Sequence, residues 1–130
     1  MSQKTVLIVE DEAIIRSALK RLLERHDYRV SEAASVEEAR ELPPSDFDLV
    51  ISDLRLPGEP GTTLIALAAP APVLIMTSYA SMRSAVDALK QGAVDYVAKP
   101  FDHTELLETV ERILHKQSMQ QGTPPDITDD

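Results

Sequence analysis

The chain has 130 residues, which is the size of one compact domain, and it contains no cysteine. Disulfides, zinc–thiolate centres and thiol nucleophiles are therefore excluded. The net charge of -9 argues against direct nucleic-acid binding, which needs a clustered basic face. No stretch is long and apolar enough for a signal peptide or a membrane span, so we expect a cytoplasmic protein without membrane contact.

Short apolar runs alternate with segments of helical periodicity along the chain. Strands are predicted at residues 5–9, 29–33, 49–53, 73–77 and 94–98, and the continuous apolar runs at 5–9 and 49–53 suit strands buried on both faces. Helices are predicted at residues 13–26, 36–42, 62–68, 82–91 and 103–116. Ser35, Ser81 and Asp102 have the residue types and positions of helix caps.

This alternation predicts an α/β fold. We expect a doubly wound, flavodoxin-like parallel sheet of five strands in the order 2-1-3-4-5, with five helices on both faces. The folded domain is predicted to span residues 1–117, followed by a polar tail or linker at residues 118–130. The first helix is expected to bury a broad apolar face, formed by Ile14, Ile15, Ala18, Leu19, Leu22 and Leu23.

Polar side chains follow the ends of four predicted strands. These residues are Glu10 and Asp11 after the first strand, Asp53 at the third, Thr77 at the fourth and Lys99 after the fifth. Ligands of open parallel sheets bind beyond the carboxyl ends of the strands, where the strand order reverses. The sequence therefore predicts three carboxylates, one hydroxyl and one ammonium at one edge of the sheet.

Such a cluster suggests metal-assisted phosphoryl chemistry. Neighbouring carboxylates raise one another's pKa unless a cation lies among them. An all-oxygen site with few protein ligands suits Mg²⁺, and Mn²⁺ fits similar ligands. The Asp53 carboxylate can then attack phosphorus, and Lys99 and Thr77 can engage the phosphoryl oxygens. Taken singly, these residues have ordinary explanations, since Asp11 could equally cap the first helix.

Four motifs resemble the receiver domain of two-component response regulators. They are LIVEDE at residues 7–12, SDLRLPG at 52–58, MTSY at 76–79 and YVAKPF at 96–101, and the resemblance covers about residues 4–115. It implies that Asp53 accepts a phosphoryl group from a sensor histidine kinase. It also implies an Mg²⁺ site formed by Asp11, Asp53 and the backbone carbonyl of Arg55, with Glu10 acting through a metal-bound water. Residues 79–96 are similar to receivers of nitrogen-regulation-type transcription activators.

The resemblance further implies a signalling switch rather than a turnover enzyme. Lys99 would pair with the phosphoryl group, Thr77 would move to hydrogen-bond it, and Tyr96 would turn inward. The face of the fourth helix, fifth strand and fifth helix would then control a transcriptional output domain or partner, and it would support a homodimer. The Lys99–Pro100 bond is expected to be cis. The chain is either a stand-alone receiver or the N-terminal piece of a longer regulator, which the tail favours.

Three other functions remain open. A dehalogenase-type phosphatase needs a second Asp two places after the nucleophile, where this chain has Arg55. A flavin-binding module needs a phosphate cradle after the first strand, where this chain has three acids at residues 10–12. A degenerate receiver that only binds proteins would not need the full polar set. The histidines, His26, His103 and His115, lack metal-ligand spacing and are interpreted as surface residues.

Arg55 and Tyr79 flank the predicted phosphorylation site, at positions that influence the access of water in similar receivers. Two large side chains are predicted to shield the phosphoryl group and to slow its hydrolysis. Tyr79→Ala should therefore speed the loss of label from purified phosphoprotein. Equal rates of loss in the two proteins would contradict this shielding.

Overall fold

The computed structural model describes residues 3–78 and 82–122, except for the side chains of residue 82 and residues 117–122. The strands are β1 (Thr5–Val9), β2 (Arg29–Ala33), β3 (Leu49–Asp53), β4 (Val73–Ser78) and β5 (Asp95–Lys99). The α-helices are α1 (Ala13–Glu24), α2 (Val36–Arg40), α3 (Thr63–Ala68), α4 (Met82–Gln91) and α5 (His103–Gly122), and a 3₁₀ turn spans Pro44–Asp46. All strand pairs are parallel, in the order β2-β1-β3-β4-β5, which confirms the predicted topology.

The sheet is covered on both faces, which explains why its three central strands, β1, β3 and β4, are largely apolar and buried, whereas the edge strands β2 and β5 contain polar residues. Alternate strand residues point to opposite faces. On one face the sheet packs against α1 and α5, through a layer that includes Ile8, Ile51, Leu19, Leu23, Leu106 and Val110. On the other face it packs against α2, α3 and α4, through a layer that includes Val50, Ile75, Val36, Ala39, Leu64 and Ala88.

The register of the sheet brings the polar strand ends together. Val9 pairs with Ser52 across β1 and β3, so the next residues along these strands are Glu10 and Asp53. The last pair of β4 and β5 ends at Lys99, on the same edge of the sheet. Because all five strands run in one direction, every carboxyl end lies at this edge. The backbone ladder therefore fixes the spacing of the candidate site.

The apolar face of α1 is narrower than predicted. Leu19, Leu22 and Leu23 are buried, whereas Ile14 is 86% exposed and Ala18 is also exposed. The prediction that Ile14 and Ala18 line the core is therefore wrong. Along the i, i+4 row of Ile14, Ala18 and Leu22 only Leu22 is buried, so the covered face of α1 widens toward the C-terminal end of the helix.

Several element ends differ from their predicted positions, by one or two residues in α2, α3 and β4 and more informatively in α1, β5 and α5. α1 ends at Glu24 because Asp27 adopts a left-handed conformation (φ 70) and the Tyr28 N–H turns back to the Leu23 carbonyl at 3.2 Å. β5 begins and ends one residue later than predicted. α5 continues to Gly122, into the predicted tail, through Gln and Met residues of good helix propensity.

The division into a domain and a tail remains a prediction. Residues 123–130, and the predicted roles of Tyr79 and Ser81, lie outside the described residues. No helix in the described part of the chain has the length and apolar character needed to cross a membrane.

Candidate functional site

Three carboxylates meet at the carboxyl edge of the sheet. Glu10, Asp11 and Asp53 each offer an oxygen, and these oxygens lie within 4.8 Å of one another. Glu10 is fully buried and Asp53 is 9% exposed, whereas Asp11 is exposed. The structure thus brings together the three acids that the sequence analysis selected, with two of them removed from solvent.

Lys99 lies between two of these acids. Its Nζ atom donates to Glu10 Oε1 and to Asp53 Oδ2, each at 3.2 Å. Burial by itself lowers the pKa of Lys99, but the charges of Asp53 and Glu10 outweigh burial and raise this pKa above its usual value. The ammonium is therefore charged at neutral pH. One ammonium does not balance three carboxylates, so the cluster attracts a further cation.

Every polar group of Glu10 has a partner. Its N–H donates to the Ala33 carbonyl at 3.0 Å, and its own carbonyl accepts from Arg16 Nη1 at 2.6 Å. Its Oε2 accepts a hydrogen bond from the Glu12 N–H at 3.0 Å, and its Oε1 accepts one from Lys99 Nζ at 3.2 Å. Burial raises the pKa of the Glu10 carboxyl, the hydrogen bond from Glu12 opposes this, and the charge of Asp53 raises the pKa further.

The start of α1 decides between two roles for Asp11. The N-cap residue of this helix is Glu12, and no side chain caps it. The Glu12 N–H is instead taken by the Glu10 carboxylate. Within residues 3–78 and 82–122 no hydrogen bond to the Asp11 carboxylate is found, so the capping role considered for Asp11 is not observed. Its exposed oxygens are left facing the cluster.

A cavity of about 150 Å³ opens beside Asp53, lined also by Leu54, Arg55, Thr77, Ser78 and Lys99. A cavity of this volume holds several water molecules and leaves room for a tetrahedral phosphoryl group. Thr77 is buried at the inner wall, and Arg55 is exposed. A carboxylate, a hydroxyl and an ammonium therefore line one space, as the sequence analysis predicted.

The loop after β3 packs tightly against Asp53. The Arg55 N–H points to Asp53 Oδ1 at 3.4 Å, and the Gly61 N–H donates to the Leu54 carbonyl at 3.1 Å. A Cβ atom at Gly61 would collide with the Asp53 carbonyl oxygen, so only glycine lets the loop return this closely. The Pro- and Gly-rich composition of residues 57–61 is typical of a loop, but composition does not show which backbone a glycine will approach.

Tyr96 is half-buried and packs in the apolar layer beneath α2, α3 and α4. It pairs with Ile75, while Thr77 pairs with Ala98. Because residues two apart on a strand share a face, Tyr96 and Thr77 project from the same face of neighbouring strands. The peptide bond between Lys99 and Pro100 is cis, as the resemblance implies.

The donor set fits a small, hard divalent cation. Mg²⁺ binds oxygen at about 2.0–2.1 Å in an octahedron, so ligand oxygens lie about 3–4 Å from one another. The carboxylate oxygens of the three acids lie up to 4.8 Å apart, so a small approach of the side chains, or bridging water molecules, would meet this geometry. Carboxylate oxygens prefer Mg²⁺ or Mn²⁺ to softer metals. Asp11 is the ligand most accessible to an entering ion.

The buried Glu10 carboxyl predicts a pH dependence in the metal-free protein. Since its folded-state pKa is raised, the folded protein holds this proton more strongly than the unfolded chain does. The resulting stability is present at low pH and is lost as pH rises through the folded-state pKa. Glu10→Gln cannot titrate, so its Tm relative to wild type should rise between about pH 4 and about pH 7.5.

Thermal unfolding in the presence of a chelator, followed by circular dichroism, measures this difference. Glu41→Gln, at an exposed position of α2's C-terminal end, is the matched control and should show no such trend. If the Tm difference between Glu10→Gln and wild type were the same at both ends of the pH range, the pKa of the Glu10 carboxyl would not be raised in the folded protein.

Comparisons with known proteins agree with this geometry. The profile of the family "Response regulator receiver domain" matches residues 6–111. The transcriptional regulatory protein ZraR of Escherichia coli is 39% identical over 125 residues, which cover 92% of this chain and 28% of ZraR. The chain thus spans less than a third of this relative's length.

Solved structures show the same architecture. A receiver domain protein from Methanospirillum hungatei superposes with a TM-score of 0.83 at 33% identity, covering 92% of this chain and 99% of the other. The receiver domain of NtrX from Brucella abortus gives a TM-score of 0.79 at 28% identity, covering 85% and 98%. The latter agrees with the predicted nitrogen-regulation-type subgroup. The resemblance inferred from four motifs is therefore confirmed, and the chain belongs to the receiver domain family of two-component response regulators.

Proposed function

We propose that Asp53 is the phosphorylation site of this receiver domain and that a sensor histidine kinase is the phosphoryl donor. The observation that carries this proposal is the shared contact of Lys99 with Glu10 and Asp53 at the edge of a cavity of phosphoryl size. Of the three acids in the cluster, Asp53 is the one that lines this cavity. Its carboxylate is thus the acid placed to attack a phosphorus atom there.

Mg²⁺ would be held by Asp11, Asp53 and the backbone carbonyl of Arg55, and it would neutralise charge on the transferred group. Glu10 has both carboxylate oxygens engaged by protein donors, which supports a role through a metal-bound water rather than direct ligation. Mn²⁺ would fit the same oxygens. Asp11 is exposed and its carboxylate accepts no protein hydrogen bond in the described chain, so its oxygens are available to coordinate the metal.

The transfer itself needs only groups present at this edge. An Asp53 carboxylate oxygen forms a bond to phosphorus as the bond from phosphorus to the donor imidazole nitrogen breaks, and the imidazole leaves with that electron pair. Lys99, charged and already hydrogen-bonded to Asp53, is placed to donate to a phosphoryl oxygen. Thr77 lines the same cavity, and its hydroxyl can donate to a second oxygen.

The switch would use Thr77 and Tyr96, which lie on the same sheet face. If Thr77 moves toward a phosphoryl group, space opens along that face, and the half-buried Tyr96 ring can turn into it. This displacement would shift the population of conformations at α4, β5 and α5. The domain thus acts as a signalling switch, and the proposed output is a transcriptional domain or partner in the cytoplasm. With a net charge of -9, the domain itself is not proposed to bind nucleic acid.

Phosphorylation by a small acyl phosphate tests the site directly. Wild-type protein with Mg²⁺ should gain one phosphoryl group by intact mass, because the acid cluster then has the cation it needs. Asp53→Asn should gain none, and wild type with a chelator should gain little. Asp46→Asn, an exposed acid of the 3₁₀ turn, is the matched control and should behave as wild type.

A different phosphorylation site, a scaffold and a phosphatase each have an outcome of their own in this experiment or in a parallel assay with a phosphomonoester. A mass gain that survives in Asp53→Asn would move the site elsewhere. Absence of any gain in wild type would favour a protein-binding scaffold. Sustained release of phosphate from a phosphomonoester would favour a phosphatase, although the acid that such an enzyme needs is replaced by Arg55.

We also propose that phosphorylation promotes a homodimer through the face formed by α4, β5 and α5. Among the described residues, the large exposed hydrophobic side chains are Ile14, Val86 and Val94. Two of these three belong to this face, Val86 on α4 and Val94 directly before β5. Asp95 of β5 and Arg112 of α5 add an ion pair at 3.0 Å, so this face carries both apolar and charged groups, as protein interfaces do.

Val86→Asp should therefore weaken the phosphorylated dimer by about 100-fold, since a twofold interface would bury the unpaired charge from both copies at a cost of about 3 kcal/mol. Sedimentation velocity over a concentration series measures the dissociation constant. Ile14→Asp introduces the same charge on α1, away from this face, and serves as the control. Equal weakening by both substitutions, or none by Val86→Asp, would reject this interface.

A further inference from the structure

Arg16 makes a contact at the site that the proposed chemistry does not use. From the second turn of α1, its Nη1 atom donates to the Glu10 carbonyl at 2.6 Å. Its Nε atom donates to Glu32 Oε1 of β2 at 3.2 Å, and Lys20 pairs with the other oxygen of Glu32 at 3.4 Å. The guanidinium therefore joins the end of β1, the neighbouring strand and α1 through one planar group.

The carbonyl that Arg16 holds belongs to the peptide that leads into Asp11. Orientation of this peptide sets the direction in which the Asp11 side chain leaves the backbone. The Asp11 carboxylate itself accepts no hydrogen bond from the described residues, so its side chain is not held by a protein partner. On the other side of Asp11, the Glu12 N–H is fixed by Glu10 Oε2.

We propose that Arg16 is a positioning residue for divalent-metal binding, acting through the Glu10–Asp11 peptide. This inference rests on the proposed Mg²⁺ site and adds to it a residue that makes no contact with the metal. A charge-assisted hydrogen bond to a carbonyl is stronger than a neutral one, and the fork of the guanidinium fixes direction as well as distance. Arg16 thereby keeps an exposed ligand, Asp11, aimed at Asp53 before any ion arrives.

A purely structural role of Arg16 predicts a different effect of substituting Arg16 and Lys20. The ion pair between Arg16 and Glu32 joins α1 to β2, and Lys20 contributes to the same link. If only this link mattered, loss of Lys20 and loss of Arg16 would have similar consequences. The Glu10 carbonyl separates the two, because in the described chain Arg16 contacts it and Lys20 does not.

Mg²⁺ titration of the unphosphorylated protein by isothermal calorimetry tests this role without any phosphoryl transfer. Arg16→Met should raise the dissociation constant for Mg²⁺ about tenfold, as is typical when a group that orients a metal ligand is removed. Lys20→Met removes the same charge from the same helix and should leave the constant within about twofold of wild type. Arg16→Lys keeps the charge but not the fork, and it should weaken binding to a smaller extent.

Two results would overturn the inference: wild-type Mg²⁺ affinity in Arg16→Met, or equal losses in Arg16→Met and Lys20→Met. Should the Met variant not fold, Arg16→Lys decides the matter, with unchanged affinity counting against the role and weakened affinity at wild-type Tm supporting it. The proposed function fails separately, if wild type binds Mg²⁺ but Asp53 takes no phosphoryl group.

Discussion

The ammonium of Lys99, placed between Glu10 and Asp53, is the contact on which the rest of the site depends. Two carboxylates with almost no solvent contact would repel each other and lose hydration if nothing lay between them. The ammonium compensates both at once. Without it, an uncompensated buried charge would cost about 3–5 kcal/mol, which is a large fraction of the stability of a domain of this size.

That contact is possible only because of the sheet around it. Lys99 is 46 residues from Asp53 and 89 from Glu10 along the chain, and only the parallel ladder brings the three together. Continuous apolar strands covered on both faces hold this ladder rigid, and they end where the polar residues begin. The burial of apolar side chains in the core therefore stabilises the arrangement of the site. The charged groups of the site, in contrast, are costly to bury.

The sequence was informative about the fold because its signals are local. Local sequence patterns located all five strands to within one residue, and the strand order followed from handedness and alternation. The acids, Thr77 and Lys99 could be grouped in advance because their position after a strand determines which edge they occupy. Periodicity also misled in one place, since it marks Ile14 and Leu22 alike although only Leu22 is buried.

Other contacts could not be predicted from the sequence because they involve a backbone atom that is brought close only by the fold. Arg16 has the pattern of an exposed helical arginine, and nothing near it indicates that its guanidinium reaches the Glu10 carbonyl. Gly61 belongs to a loop whose glycine content was evident, but its close approach to the Asp53 carbonyl depends on the path of the whole loop. Backbone acceptors carry no residue-type signal, so contacts of this kind emerge only with the fold.

The site is divided into a closed half and an open half, and the division suits its proposed chemistry. Glu10, Lys99 and Asp53 are locked by mutual hydrogen bonds and largely withdrawn from water, so little reorganisation is needed when charge arrives. Asp11 and Arg55 are exposed on the other side, where a cation and a phosphoryl donor must enter. A fully closed cluster would exclude both, and a fully open one would leave the acids solvated and weakly coupled. A cation that binds at the open half is therefore attracted by the uncompensated negative charge of the acid cluster.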